Sequence, residues 1–445
     1  MAMTVVVPGS AQIAAGDRRL GKIALRCAAA GLAFVVALVI VGVVAPQQLV
    51  AAFTDTWFLV ALRLGLVIYA VGWAFLLVDA WRIADPLGLA QGQRLFVTGL
   101  NGLLCFGLSG GLLFTSHLVA VQHDFIETVF GSQPVSEPER GRYNILLLGG
   151  DAGPGRSGVR PDSLSVASID EETGRTVLLG LPRNLADVPF PDGTVMSTRF
   201  PNGFDCDGCY LNGVNTWAED HAELFPGVEN PGIEATTQAV EEITGLAINY
   251  YALIDLRGFR DLVDATGGVD IAVGERIPIG GVGGPVTGWI EPGRQHLDGY
   301  ETLWYARSRA TSNDYSRMAR QKCVMSAMLH QLDPQTVVTN FGAIAKAGKQ
   351  VISTSMPASE LATFVDLAVK AKGMPVSSVS FVPPKVDTSD PDWQLIRTMV
   401  SDAMDRSEGK DGLDLARALP RDKNPRDKKK PRPDANDSSD LARSC

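Results

Sequence analysis

The chain is short of positive charge, and that shortage narrows what it can do. Its 445 residues hold 40 Lys and Arg against 49 Asp and Glu, a net charge of −9 with a sequence pI near 5.2. A nucleic-acid binder presents a basic face to the phosphate backbone, and the globular part has none, so no nucleic-acid partner is expected. Other absences bear on metal and redox chemistry. His221 is the only histidine near Cys206 and Cys209 and no His pair follows, which makes zinc a weak option. The residues after Cys209, Tyr-Leu-Asn-Gly, do not read as opening a helix, which makes a thioredoxin-like redox site weaker still. The glycine cluster from Gly280 to Gly284 lacks the Lys and helix signal of a phosphate loop, so it reads as a lid or hairpin loop.

Charge is also scarce in three early segments, residues 22–45, 57–78 and 95–121. Each is long enough to cross the ~30 Å hydrocarbon layer as a helix. Arg18, Arg19, Lys22 and Arg26 flank the first, Arg82 and Arg94 lie between the second and third, and residues 46–56 contain no Lys or Arg. The positive-inside rule then puts residues 1–21 in the cytoplasm, the crossings within 22–123, and the remainder outside the membrane. The first segment is long and lacks a clear small-residue cleavage site, which speaks against a signal peptide. Arg63 is expected to snorkel to the interface.

Beyond a linker at 124–141, residues 142–404 suffice for one sizeable α/β domain. The run Asn144-Ile-Leu-Leu-Leu-Gly-Gly-Asp151 reads as a buried strand whose glycines turn the chain, leaving Asp151 at its C-terminal edge. Residues 164–169 and 176–181 read as the next strands, joined by the turn Glu171-Glu-Thr-Gly174. Pro182 ends the third strand and leaves Arg183 on the same rim. Asp151, Arg160, Asp162 and Arg183 are thus delivered to one sheet edge, a set suited to a metal-bound phosphate. Helices are expected at 234–244, 256–266, 326–332, 364–371 and 395–404, with a strand at 249–255. The leucines and valines of the last three helices read as core rather than as a lipid tunnel.

A second constellation is Tyr305-Ala-Arg307-Ser-Arg309, followed by Asp314, Arg317, Arg320 and Gln321. Arginine offers a planar fork that pairs bidentately with phosphate oxygens, and several converging arginines imply an anion with several oxygens, such as pyrophosphate. For Asp314, Arg317 and Arg320 alone, a salt-bridged exposed helix face accounts equally well for the pattern. Arg307 and Arg309 follow the apolar Leu303-Trp-Tyr-Ala306, where charge needs a partner.

Four cysteines fall in the outer part, Cys206, Cys209, Cys323 and Cys445, and two, Cys27 and Cys105, inside the membrane segments. The outer four suit an oxidising compartment and allow three complete pairings, a short Cys206–Cys209 loop bridge among the options. From about Arg406 the chain becomes charge-rich and Pro-bearing, so residues 405–445 are expected to be a disordered tail.

In order and spacing, Leu-Leu-Gly-Gly-Asp151, Arg160-x-Asp162, Pro182-Arg183, Gly267-Gly-Val-Asp270, Leu297-Asp-Gly299, Tyr305-x-Arg307-x-Arg309, Asp314, Arg317 and Arg320-Gln321 resemble the LytR-CpsA-Psr family of cell-wall glycopolymer ligases. The resemblance runs over about residues 142–400. It departs at Asn184, where the family commonly has Asp after Pro-Arg, so a charged role there is not carried over. The resemblance implies an α/β/α sandwich around a mixed sheet, outside the membrane and preceded by three transmembrane helices. It implies a phosphotransferase that moves a glycopolymer, arabinogalactan or one like teichoic acid, from a polyprenyl-pyrophosphate carrier to peptidoglycan. Asp151 and Asp162 would hold Mg²⁺ or Mn²⁺. Arg160, Arg183, Arg307, Arg309, Arg317, Arg320 and Gln321 would grip the pyrophosphate, Arg183 would also serve catalysis, and Asp162, or else Asp314, would accept the proton. A polyprenyl-pyrophosphate phosphatase and a non-enzymatic lipid-carrier-binding or regulatory membrane protein remain the alternatives.

Overall fold

A computed structural model describes residues 7–130, 134–151, 160–281, 284–309, 313–331, 352–409 and 434–445. The chain divides into two compact units, Met1–Thr128 with Ala358–Thr363, and Val129–Pro357 with Phe364–Cys445.

In the first unit, uninterrupted apolar sequence forms three long helices, α1 (Arg18–Val44), α2 (Thr56–Ile83) and α3 (Gln91–Val129), each long and apolar enough to cross a membrane. Aspartates set two of their starts. The Asp17 carboxylate accepts from the Leu20 amide and Asp55 from that of Phe58, satisfying donors that a helix N-terminus leaves free. Large apolar side chains such as Val43, Trp57 and Phe106 are four-fifths exposed, a surface suited to lipid rather than water.

The second unit is built on a seven-stranded mixed sheet. Its strands are β1 (Arg142–Asp151), β2 (Arg160–Asp170), β3 (Thr176–Leu181), β4 (Tyr250–Asp255), β9 (Ile352–Thr354), β10 (Val376–Ser380) and β11 (Asp437–Ser438), in the order β11-β10-β3-β2-β1-β4-β9. Strands β1, β2 and β3 run as an antiparallel meander, while β4 and β10 join β1 and β3 in parallel. Both faces are covered, which explains why these strands read as continuous apolar runs. On one face Leu146, Leu148, Val166 and Leu179 pack with α4 (Leu211–Asp220), α5 (Pro231–Thr244) and α10 (Trp393–Glu408) through Val214, Ala239, Val240, Ile396 and Val400. On the other, Leu147, Ala167 and Leu178 meet Ala319, Cys323 and Met325 of α8 (Asp314–Gln331), beside α6 (Leu256–Ala265) and α7 (Gly299–Arg307). Two antiparallel pairs, β5 (Val269–Val273) with β8 (Gly293–Leu297) and, between them in the chain, the hairpin of β6 (Ile277–Gly280) with β7 (Val286–Ile290), carry a smaller core under α7. The glycine cluster therefore joins a β-hairpin; residues 282 and 283 lie outside the described residues.

Two expectations need correction. A helix does follow Cys209: α4 starts at Leu211, its apolar Leu211, Val214 and Ala218 recurring at helical spacing behind the turn-rich Pro201–Cys209 loop. The region beyond Arg406 is not a tail at its described ends either. Helix α10 runs on to Glu408, and Asp434–Cys445 folds back, pairing β11 with β10 and joining Cys445 to Cys323; residues 410–433 lie outside the described residues. The other bridge is Cys206–Cys209, and Cys27 and Cys105 are free. Helix α9 (Leu361–Lys372) puts Leu367 and Ala371 in the core, as α10 does with Ile396 and Val400, so these are packing residues as read.

Candidate active site

The register of the sheet brings the first group of residues together. Leu164 pairs with Leu181, so two residues beyond each along the antiparallel ladder Asp162 must face Arg183. The Arg183 Nη1 indeed donates to Asp162 Oδ1 at 2.6 Å. At the same rim β1 ends with Asp151 paired to Arg160, so both backbones lie where expected; their side chains are outside the described residues. Gly149 is paired with Ser163, and a Cβ there would stand 3.1 Å from the serine Cβ, which favours glycine at this turn of the rim.

Helix α8 supplies the opposing wall. Asn313 caps it by accepting from the Ser316 amide, and Asp314, Arg317 and Gln321 follow at one-turn intervals on one face. Asp314 gathers the arginines: its Oδ1 lies 3.5 Å from Arg183 Nε and 3.4 Å from Arg309 Nη1, and its Oδ2 accepts from Arg317 at 3.1 Å. Arg317 is only 5% exposed and also donates to the Asp162 carbonyl at 2.8 Å. Burial pulls its guanidinium below the usual arginine value, opposed first by the Asp314 carboxylate. Its buried Nε has no hydrogen-bond partner among the described residues. Gln321 accepts from the Ser163 hydroxyl at 3.0 Å and donates to the Ala306 carbonyl, tying α8 to the sheet rim and α7.

Between sheet rim and helices lies a cavity of about 320 Å³. Leu147, Leu253, Ile254, Phe259, Leu303 and Met325 make much of its wall apolar, and Asp162, Asp255, Arg307 and Arg317 are its charged members. Arg307, at the end of α7, stands 5.4 Å above the Trp304 ring. Asp255 was not among the residues singled out from the sequence. It ends β4, opposite Gly150 of the parallel β1, and caps α6 by accepting from the Gly258 amide. The readable signal was an acid closing a strand just before a helix.

Arg320 is not placed in this cluster. It is buried, its Nε donates to the Tyr305 carbonyl at 2.7 Å and its Nη2 to that of Ser308, so it closes the C-terminus of α7. An exposed salt-bridged face describes neither Arg317 nor Arg320, since both are buried. Asn184 donates to the Thr388 hydroxyl at 3.0 Å, a neutral contact in place of a charge.

The domain thus joins a mostly apolar cavity to a wall of arginines and aspartates. The profile of the LytR_cpsA_psr family matches residues 119–393, and the chain belongs to that family. It is similar to the probable cell wall biosynthesis protein LcpB of Corynebacterium glutamicum, at 33% identity over 200 residues, 44% of this chain and 39% of that protein. It is also similar to the polyisoprenyl-teichoic acid–peptidoglycan teichoic acid transferase TagU of Oceanobacillus iheyensis, at 26% identity over 265 residues, 56% of this chain and 71% of that protein. Among solved structures, B. subtilis TagV aligns at 21% identity with a TM-score of 0.44, over 60% of this chain and 98% of that one.

Proposed function

We propose that the chain is a membrane-anchored phosphotransferase that moves a glycopolymer from a polyprenyl-pyrophosphate carrier to a hydroxyl of peptidoglycan. The observation that carries this reading is the cavity itself, apolar over most of its wall yet holding Asp162, Arg307 and a buried Arg317 with an unpaired donor. An unpaired buried donor costs about 1–3 kcal/mol, and a phosphate oxygen would satisfy it. Relatives named as teichoic acid transferases support the same chemistry.

In the proposed reaction the acceptor hydroxyl oxygen attacks the phosphorus that bears the glycan. The bond from that phosphorus to the bridging oxygen breaks, polyprenyl phosphate leaves, and a phosphodiester joins glycan to peptidoglycan. The hydroxyl proton goes to Asp162. Geometry favours Asp162 over Asp314: it lines the cavity and pairs with Arg183, whereas Asp314 stands behind Arg183, Arg309 and Arg317 and holds them in place. Arg183, Arg307, Arg309 and Arg317, with Arg160 from the rim, hold the phosphate oxygens and need little rearrangement to do so, since Asp314 already positions three of them. Asp162, two residues along β2 from the Arg160 that pairs with Asp151, would with Asp151 offer the hard oxygen donors that Mg²⁺ or Mn²⁺ prefers. Held there, such an ion would supply positive charge against the leaving phosphate. The proposed topology has an inner N-terminus, three crossings and the domain outside, a placement supported by the flanking basic residues and the two disulfides.

The test uses the full chain in lipid nanodiscs with a polyprenyl-pyrophosphate-linked glycan, peptidoglycan strands and Mg²⁺. Glycan should become covalently attached to peptidoglycan as polyprenyl phosphate is released in equal amount, and Asp162→Ala should slow this by about 10²–10³. Lipid phosphate released without attached polymer would instead make the protein a phosphatase.

A further inference from the structure

Helix α8 has a recess on each side. Arg317, Gln321 and Met325 line the apolar cavity, whereas Ser316, Ala319 and Arg320 line a second recess of about 530 Å³. At about 100° per residue the two sets lie on opposite faces of one helix. Tyr305 of α7, Tyr315, and Asn436 from the folded-back C-terminal segment complete much of the second wall.

The charge of this groove differs from that of the cavity. Its charged members among the described residues are Glu275, Asp434 and Arg320, and Arg320 already directs donors at the Tyr305 and Ser308 carbonyls. Two carboxylates beside one engaged guanidinium disfavour a second anion. What remains for recognition, with Asn436 bonded to Ser380 and to the Tyr315 carbonyl, is the Asn313 amide N–H group and the acceptor capacity of the Ser316 and Tyr315 hydroxyls, which suit a neutral, polar ligand. The groove also reaches Asn313 and Tyr315, the residues on either side of Asp314, whose carboxylate organises the arginines around Asp162. At this end the Tyr315 hydroxyl lies 3.3 Å from that of Thr388, which also accepts from Asn184, the neighbour of Arg183, so the groove is linked to the reacting groups through Thr388.

We propose that this groove is the acceptor subsite and takes a neutral saccharide bearing hydroxyl and amide groups, with the C-terminal segment as one of its walls. The assignment rests on the phosphotransferase reading but is tested by binding alone. A fluorescent, phosphate-free peptidoglycan saccharide is titrated into the full chain in nanodiscs without donor lipid. Ser316→Trp, which fills the groove, and Glu275→Phe, which crowds its wall from a side chain 64% exposed, should each weaken saccharide binding about tenfold or more. Affinity for polyprenyl pyrophosphate should not change, and melting curves identify the variants that fold. The exposed Glu275 position decides the matter if the tryptophan variant does not fold. A wild type that binds no saccharide, or folded variants that bind it as well as wild type, would overturn the subsite. Saccharide binding lost in the variants, with no transfer by the wild type, would keep the groove and sink the phosphotransferase reading.

Discussion

Lys322 follows Gln321 on α8 but turns away from the cavity, and it is 1% exposed. Its Nζ donates to the Ser380 hydroxyl, which donates in turn to Asn436 Oδ1, so one ammonium links the helix, the end of β10 and the C-terminal segment. Burial pushes its pKa down to about 7, against the opposing pull of Asp434 and Asp437. The unfolded chain keeps the ordinary lysine value of about 10.4. Between those values the unfolded state binds the extra proton, so this lysine's destabilising effect is fully present below pH about 7 and fades as pH rises. The melting temperature of the wild type should therefore gain on that of Lys322→Met as pH rises from about 7 to about 10. Parallel curves would mean that the lysine stays charged when buried, held by the two aspartates.

At the scale of elements, one helix serves three purposes because its residues face three ways. Gln321 and Arg317 face the cavity, Cys323 and Lys322 the sheet and C-terminal segment, Arg320 the end of α7. Strands β1 to β3, with both faces buried, were readable as apolar runs, and the rim positions of Asp162 and Arg183 follow from their pairing. Arg320 was not readable, since a one-turn spacing from Arg317 says nothing of where α7 ends relative to α8. The contrast is testable in two variants. Arg183→Lys keeps the charge but loses the fork, and should slow transfer while leaving the melting temperature near wild type. Arg320→Met leaves the Tyr305 and Ser308 carbonyls without their charged donor and should destabilise the domain by about 1.5–3 kcal/mol. Equal losses of stability in both variants would make Arg183 a scaffold residue.

For the molecule as a whole, the C-terminus was the least legible part, because its charge and proline content describe a solvated chain, while buried Ala435 and Leu441, the hydrogen bonds of Asn436 and one covalent bond hold its end against the domain. Strand β11 meets β10 in only two residue pairs, Ser378 with Ser438 and Val379 with Asp437, too few to order twelve residues unaided. The Cys323–Cys445 bridge spans 122 residues, and closing a loop of that order removes about 4–5 kcal/mol of unfolded-state entropy. Cys445→Ser should accordingly lower the melting temperature and expose the segment from Asp434 onward to proteolysis. The same bond reports on compartment. Four of the six cysteines are paired and two, Cys27 and Cys105, are free. Protein taken from cells without reductant, then denatured and alkylated, should therefore take up label at Cys27 and Cys105 alone, with the other four reacting only after reduction. Label on all six would place this domain in a reducing compartment, and an enzyme there could not reach peptidoglycan outside the membrane.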